Sequence, residues 1–338
     1  MFPVIRNEKK ARRVCRGFVV FFALSLAAAA HCGDGYAAGT KHRSRQMTFA
    51  SPEEGVGAFL AALKADDAKA LMAIFGPEGS RLISSGDAVS DRNARERFVA
   101  LYQEKNQLKQ EQPDKVVLEV GADSWPFPIP LVKAGGAWRF DTKAGKEEIL
   151  DRRIGMNELR TIQTCLAYVD AQREYASKER DGDGVREYAQ KFASDPGRKN
   201  GLYWEAGEGE AESPLGPLVA AAKQEGYTKR GSPGKPVPYH GYYYRILKAQ
   251  GGNAPGGACD YVAKGRMIGG FALVAYPAEY GSSGIMTFMV NHQGEVYEKD
   301  LGRKTSSSAR AMKTFDPDKT WRKVDPKYLE PSAAGSGS

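Results

Sequence analysis

The sequence has few of the residues on which metal and nucleophilic chemistry depend. Four histidines and four cysteines occur in 338 residues. They form no Cys-x-x-Cys pair and no His-Glu-x-x-His helix, so the common zinc motifs are absent. No Gly-x-Ser-x-Gly elbow occurs, and no glycine-rich loop is followed by the Lys-Ser or Lys-Thr of a phosphate-binding loop. The sequence therefore offers no recognisable catalytic residues and favours a protein that is not an enzyme.

A membrane-spanning run is missing as well. The apolar stretch from Gly17 to Ala30 falls short of the roughly 20 residues that cross a bilayer. A basic segment precedes it and small residues follow it, as in a secretory signal. We predict a signal peptide over residues 1–37 and an exported protein, with the periplasm as the favoured location. Cleavage after Ala30 or Gly39, a lipid anchor on Cys32 and an uncleaved anchor are the alternatives.

The net charge gives no support to a nucleic-acid function. The chain has 49 basic and 41 acidic residues and a net charge of +8. Removal of the leader takes away six basic and two acidic residues and leaves +4. Three of the remaining basic residues, Lys41, Arg43 and Arg45, lie in a flexible tail predicted over residues 38–47. Because no basic patch for a phosphate backbone remains, we expect no nucleic-acid partner and no stable membrane span after cleavage.

Cysteine use follows from the predicted export. Only Cys165 and Cys259 remain after cleavage of the leader. An oxidising compartment lets disulfides persist, so a disulfide between Cys165 and Cys259 is predicted. The alternative is that Cys165 packs as a small apolar side chain on its helix while Cys259 lies in a glycine-rich loop.

Residues 48–150 show a pattern of helices followed by strands. Ser51-Pro52-Glu53-Glu54 is a helix start, with an N-cap serine, a proline at the first position and a glutamate three residues later. Further short helices are expected from about Asp67 and Asp91. Strands are predicted over Lys115–Val120, Phe127–Val132 and Ala137–Phe140. This α+β pattern resembles the cone-shaped fold of nuclear-transport-factor-like and cystatin-like proteins, which hosts both enzymes and binding modules.

Residues 151–325 show one long helix followed by strands. Leu159, Ile162, Leu166 and Val169 repeat at helical spacing in a helix from about Asn157 to Lys178, and such an apolar stripe must pack on a sheet. A loop region with one helical turn at Leu218–Lys223 follows. Four antiparallel strands are predicted over Tyr239–Ala249, Gly270–Ala275, Ile285–Asn291 and Val296–Lys299, with a turn at Asn291-His292-Gln293-Gly294. Residues 326–338 are predicted to be a disordered tail.

Long strings in both parts resemble one family. They include SPEEGVGAFLAALKADD, RRIGMNELRTIQTCLAYVDAQREYA, PYHGYYYRIL, GRMIGGFALVAYPAEYG and MTFMVNHQGEVYEKDLG. Together they resemble an exported bacterial domain-of-unknown-function family, DUF2950, over nearly the whole mature chain, and this resemblance implies no activity. The order of ELRTIQTCLAYVDAQREYA, GLYW, GYYYRI and FMVNHQGEVYEKDLG also resembles the globular head of pilin-like and pseudopilin proteins. The apolar start of a pilin helix is missing here, so assembly into a pilus is not expected.

One loop has the composition of a calcium site. Asp181-Gly182-Asp183-Gly184 resembles the acidic half of a calcium-binding loop, in which alternate carboxylates meet on the ion. Glu187 would complete the set if the loop is short. Calcium on Asp181, Asp183 and Glu187 is the one cofactor that the sequence predicts, and the alternative is a polar turn at the end of the long helix.

Two other arrangements carry weaker signals. Cys165 and His240 could form a nucleophilic pair, although a cysteine on a buried helix face is a poor nucleophile. Strand alternation places Tyr242 and Tyr244 on one face and Tyr243 with Arg245 on the other, which favours packing over a stacking platform.

The sequence as a whole predicts an exported envelope protein, a non-catalytic binding or assembly module whose partner is an unidentified envelope protein or a small ligand. The alternative is a small-ligand-binding protein or an enzyme that uses a cavity in residues 48–150. The walls of that cavity would be Trp125, Trp138, Tyr102, Asp123 and Asp141. A deep pocket that holds polar groups would favour this alternative.

Overall fold

The computed structural model describes residues 46–180, 182–228 and 236–329. The predicted signal peptide, residues 38–45 of the predicted flexible tail and residues 330–338 of the predicted C-terminal tail lie outside this part. The α+β class is confirmed, because the described residues form seven α-helices together with antiparallel sheets. None of these helices is both long enough and apolar enough to cross a bilayer.

Four helices open the fold: α1 (Pro52–Lys64), α2 (Ala68–Phe75), α3 (Ser80–Ile83) and α4 (Ala88–Glu104). The predicted start of α1 is confirmed. The Ser51 hydroxyl accepts a hydrogen bond from the Glu54 N–H, and the Glu54 carboxylate accepts one from the Ala50 N–H. Asp67 and Asp87 cap α2 and α4 with their carboxylates. Side chains thus satisfy the free N–H groups at three helix starts.

The first antiparallel sheet contains β1 (Asn106–Gln112), β2 (Lys115–Val120), β3 (Trp125–Pro126), β4 (Leu131–Ala134) and β5 (Ala137–Phe140). Its order is β1-β2-β4-β5, and β3 pairs with β2. The strands predicted at β2 and β5 are confirmed. The strand predicted over Phe127–Val132 is wrong in its bounds, because Pro128 and Pro130 have no N–H to donate and β4 begins after them. The sequence does not predict β1, whose residues are polar and mostly exposed.

Helix α5 (Thr142–Ala176) is a 35-residue helix that joins the two parts of the fold. It begins well before the predicted start near Asn157. Its first turns are rich in charge and contain two glycines, so their sequence shows no apolar stripe that would predict a helix. Leu150 and Ile154 extend its buried stripe toward the N-terminus. The boundary predicted between residues 150 and 151 falls inside this continuous helix, and the described residues belong to one compact unit.

A long irregular region follows α5 and contains α6 (Gly216–Gln224), where the helical turn is predicted. The later elements are β6 (Tyr242–Leu247), β7 (Ala249–Gln250), β8 (Cys259–Asp260), β9 (Val262–Ala263), β10 (Arg266–Met267), β11 (Ala272–Pro277), β12 (Met286–Asn291), β13 (Val296–Asp300), α7 (Thr305–Ala311) and β14 (Arg322–Lys323). One antiparallel sheet has the order β14-β13-β12-β11-β6. The four predicted strands and the turn between β12 and β13 are confirmed, and the Asn291 side chain accepts the Gln293 and Glu295 N–H groups in that turn.

The apolar residues form two cores, one for each sheet. The first lies between α1, α2 and the first sheet, and the second lies between α5 and the strands β11 and β12. The predicted alternation along β6 is confirmed. Tyr244 faces α5, where its hydroxyl lies 3.4 Å from the Thr161 hydroxyl, whereas Arg245 donates to the Ala309 and Met312 carbonyls at the end of α7.

Candidate functional site

The first core is built around a cluster of phenylalanine rings. The Phe59 ring lies 5.2 Å from Phe75, 5.3 Å from Phe98, 5.4 Å from Phe127 and 5.6 Å from Phe140, measured between ring centroids. Phe98 is the one half-buried member, and it belongs to α4. Edge and offset contacts of this kind stabilise an aromatic core. Helix α4 therefore forms one side of the phenylalanine cluster.

A pocket of about 120 Å³ lies between these rings and α4. An apolar cavity of roughly 150 Å³ holds one benzene ring, so this pocket is close to the size of a single small ring. Its lining is apolar except for Asp91, Arg95 and Arg153. The apolar lining residues are Phe59, Leu63, Leu71, Phe75, Leu82, Ile83, Ala94, Phe98, Phe127, Ile129 and Ile149.

Two of the charged side chains that line the pocket are Asp91 on α4 and Arg153 on α5. Both carboxylate oxygens of Asp91 accept the Ser85 N–H, at 2.9 and 3.2 Å. Arg153 donates to the carbonyls of Arg81 and Leu82, at 2.7 and 2.6 Å. Burial raises the pKa of Asp91 and lowers the pKa of Arg153, because it penalises the charged form of each.

Arg95 stands one helical turn after Asp91 on α4. Its guanidinium donates to the Ile83 carbonyl at 2.5 Å and forms an ion pair with Asp66. Together with Arg153 it supplies donors to three consecutive carbonyls at the end of α3, which such a short helix leaves without intrahelical partners. The charged end of the pocket is therefore held in place by backbone hydrogen bonds.

A wider groove of about 310 Å³ adjoins the pocket. The two spaces share Leu63 and Arg95, and the groove runs between the end of α1 and the middle of α4. Asp91 is the single buried residue of the 17-residue α4. A helix that packs along its length buries a full apolar stripe. On α4, however, the apolar residues Phe98, Val99 and Tyr102 are only half-buried. The groove between α4 and α1 therefore stays open.

A second polar cluster, which we call the Asp87 latch, connects α4 to the second part of the fold. Asp87 Oδ2 accepts the Tyr227 hydroxyl at 2.9 Å and the Gly241 N–H at 2.8 Å. Its Oδ1 accepts the first N–H groups of α4, those of Val89 and Ser90. One fully buried carboxylate thus satisfies four donors and ties the start of α4 to the loop before β6.

His240 lies beside the Asp87 latch in a left-handed backbone conformation, with φ of 51°. Its Nδ1 is 3.4 Å from the Arg160 guanidinium and 3.6 Å from the Glu225 carboxylate. Burial, together with the Arg160 charge, lowers the pKa of His240 to about 3. The imidazole is therefore uncharged at neutral pH and packs on Tyr239, with the ring centroids 4.0 Å apart.

The hydroxyl and thiol groups near these clusters are engaged or buried. The Ser282 hydroxyl donates to the Arg81 and Ser84 carbonyls, and the Ser283 hydroxyl donates to the Glu279 carbonyl. Burial raises the pKa of the Cys165 thiol to about 12. A thiol that stays protonated at neutral pH is a poor nucleophile, which argues against a pair of Cys165 with His240.

Residues 46–324 match the family described as "Protein of unknown function (DUF2950)". The chain belongs to this family. The predicted DUF2950 resemblance is thereby confirmed. No curated protein and no solved structure matches the chain. The likeness to a cone-shaped fold and to a pilin head stays a prediction.

The calcium loop predicted for this DUF2950 chain is described only in part, because Asp181 lies outside the described residues. Asp183 forms an ion pair with Arg266, and its Oδ1 accepts the Val185 N–H at 3.0 Å. Within the described ranges, no three His, Cys, Asp or Glu side chains lie close enough to hold a metal ion together. Calcium on Asp181, Asp183 and Glu187 stays a prediction.

The two cysteines of the predicted disulfide lie in different environments. Cys165 is completely buried in the second core, and Cys259 is exposed on β8. Both are free thiols in the structure, so the predicted bridge between them is not formed there. Cys165 packs as a small apolar side chain, which was the alternative.

The pocket lies in residues 48–150 and α5, but its walls differ from the predicted ones. None of the residues predicted for that cavity lines the pocket or the groove, namely Trp125, Trp138, Tyr102, Asp123 and Asp141. Trp125 instead stacks with the Arg152 guanidinium, 5.0 Å from its ring centroid.

The residues that do line the pocket left one signal in the sequence. Asp91, Arg95 and Phe98 are spaced by four and three residues, so they share one face of a helix. Two charges on the same face as an apolar residue indicate a partly buried polar site. Arg153 gave no such signal, because its segment is not predicted to be helical.

Proposed function

We propose that this DUF2950 protein is an exported, non-catalytic binding protein that holds a small, largely apolar molecule in the pocket and groove between α1 and α4. The pocket itself carries the proposal, because it lies between phenylalanine rings and a helix that buries one residue. Sites for small molecules are concave and mostly apolar, with a few polar groups that orient the ligand. Export rests on the basic and apolar segments of residues 1–37.

Binding is favoured over catalysis by the state of the polar groups. Arg95 and Arg153 already donate to backbone carbonyls, and Asp91 already accepts a backbone N–H. Groups fixed in this way orient a ligand at little further entropic cost. The site offers the ligand a preformed apolar space with a fixed charged end.

Two alanine-to-leucine substitutions, one in the pocket and one at a matched control position, test the proposal. Ala94 is exposed at the mouth of the pocket and lines it, whereas Ala61 is an exposed alanine of α1 that lines neither space. We expect a ring-sized probe, phenylacetate or 2-phenylethanol, to bind the wild type and Ala61→Leu with equal affinity. Ala94→Leu should weaken binding at least about tenfold, or roughly 1.4 kcal/mol, because its side chain fills the entrance.

Isothermal titration calorimetry and saturation-transfer NMR on the full exported chain measure this difference. Circular dichroism and thermal melting confirm that both variants stay folded. The proposal fails if neither probe binds the wild type, or if Ala94→Leu and Ala61→Leu bind them equally well.

A further inference from the structure

We infer that the ligand of this pocket is a small organic monoanion, a carboxylate carried on an apolar body about the size of one aromatic ring, with Arg153 as its charge partner. The inference rests on the proposed function and narrows it to one chemical class. Its basis is the placement of charge in the pocket.

Arg153 is a cation in a largely apolar wall, and Asp91, the acidic residue of the same pocket whose charge acts on it, forms no direct ion pair with it. Its guanidinium is half-buried and donates to the carbonyls of Arg81 and Leu82. Among the described residues, no carboxylate oxygen lies within the 4.0 Å of an ion pair with it. Buried charges in proteins are normally paired, because desolvation of a lone ion is costly. A ligand carboxylate in the pocket would supply the direct ion pair that Asp91 does not form.

The remaining donors of Arg153 suit a carboxylate. A guanidinium carries five N–H groups in a planar fork, and the two carbonyls occupy two of them. The fork matches the two oxygens of a carboxylate, and such charge-assisted pairs are roughly twice as strong as neutral hydrogen bonds. Arg95 is less available, because Asp66 and the Ile83 carbonyl already engage it.

The charge of the whole site favours a single negative charge on the ligand. The pocket and the groove are lined by four basic and three acidic side chains, which leaves one positive charge. These side chains are Lys64, Arg92, Arg95 and Arg153 with Asp66, Asp91 and Glu96. A monoanion neutralises this excess, whereas a dianion such as phosphate would leave an unpaired charge among phenylalanine rings.

The size of the pocket sets the body of the ligand. A volume of about 120 Å³ is close to that of one ring, and the surrounding Phe59, Phe98 and Phe127 rings offer edge and offset contacts. Phenylacetate therefore serves as the probe, and 2-phenylethanol is its neutral counterpart of nearly equal shape.

Calorimetric titration of the full exported chain with both compounds tests the inference. We expect phenylacetate to bind at least about tenfold more tightly than 2-phenylethanol, as one charge-assisted hydrogen bond allows. The preference should shrink in high salt, because ions screen the charges. Arg153→Met should abolish it, and the neighbouring Arg152→Met, whose side chain lies on the surface, should retain it.

The outcomes separate this inference from the proposed function. Equal or tighter binding of 2-phenylethanol to the wild type overturns the anionic class while the groove remains a binding site. Binding of neither compound overturns both. Because the comparison of the two compounds uses the wild type, it decides the matter even if Arg153→Met does not fold.

Discussion

At the scale of single residues, the stability of the fold depends on an uncharged His240 beside the Asp87 latch. Acid is therefore expected to destabilise the protein by protonating this histidine. His240 is packed against Tyr227 and Tyr239 and faces Arg160 and Glu225. Its pKa is lowered to about 3 by burial, whereas an unfolded chain has a histidine pKa of about 6.5. The unfolded state therefore binds the proton more readily between these values, and the His240 contribution to stability is present above pH 6.5 and is lost as the pH falls.

His240→Asn tests this linkage, since asparagine tolerates the left-handed backbone better than most residues. We expect the wild type to lose up to about 1–2 kcal/mol more of its unfolding free energy than the variant between pH 7 and pH 5. Urea unfolding at both pH values gives the two differences. Other titrating groups cancel in the comparison. An equal gap between wild type and variant at both pH values would show that His240 titrates normally in the fold.

At the scale of elements, α5 passes close to the chain between β3 and β4. A Cβ atom added at Gly145 would lie 2.0 Å from the Pro128 carbonyl oxygen, which no rotamer change relieves. At Gly155, on the same helix, a Cβ atom meets open space. The same residue type thus has a packing role at one position and none at the other.

Alanine substitutions at these two positions should have opposite effects. Gly145→Ala should destabilise the protein by about 3 kcal/mol or more, because α5 must move away from Pro128 and Ile129. Gly155→Ala should stabilise it by about 0.5–1 kcal/mol, since alanine is the better helix former. Equilibrium urea unfolding measures both. A similar effect of the two substitutions would mean that α5 does not approach this backbone.

The elements also show how far local sequence patterns predict the fold. The capping residues Ser51 and Glu54 define the start of α1, and short runs rich in apolar residues indicate β2, β5, β6, β11, β12 and β13. Strand β1 gives no such pattern, because NQLKQEQ lies at an exposed sheet edge and buries little. The first turns of α5 are rich in charged residues and therefore show no apolar periodicity that would predict a helix. Gly145 in these turns is required by packing rather than by helix propensity.

The site could be predicted less well than the fold. Its walls come from Phe59, Asp91, Phe127 and Arg153, which lie far apart in the chain and on four different segments. A gap between packed elements is a property of their tertiary arrangement, and no local periodicity reports it. The shared helix face of Asp91, Arg95 and Phe98 was the one part of the site visible in the sequence.

At the scale of the whole molecule, α4 belongs to both the proposed ligand site and the connection between the two cores. One face lines the pocket and groove, and its first residues are held by the Asp87 latch. The Asn93 side chain also donates to the Glu225 carbonyl, and the Ser282 hydroxyl joins the loop before β12 to the end of α3. The Asp87 and Asn93 contacts hold the first two turns of a helix that is otherwise only lightly packed.

Methyl NMR of the full chain during titration with phenylacetate tests the proposed ligand site most directly. We predict shifts of the Ile83, Ile129 and Ile149 methyl signals, because these side chains line the pocket, and unchanged signals from Ile162 and Ile246 in the second core. Ala94→Leu should remove the shifts, and Ala61→Leu should keep them. If the pocket methyl groups do not respond, or if those of the second core respond instead, the site is not the groove between α1 and α4.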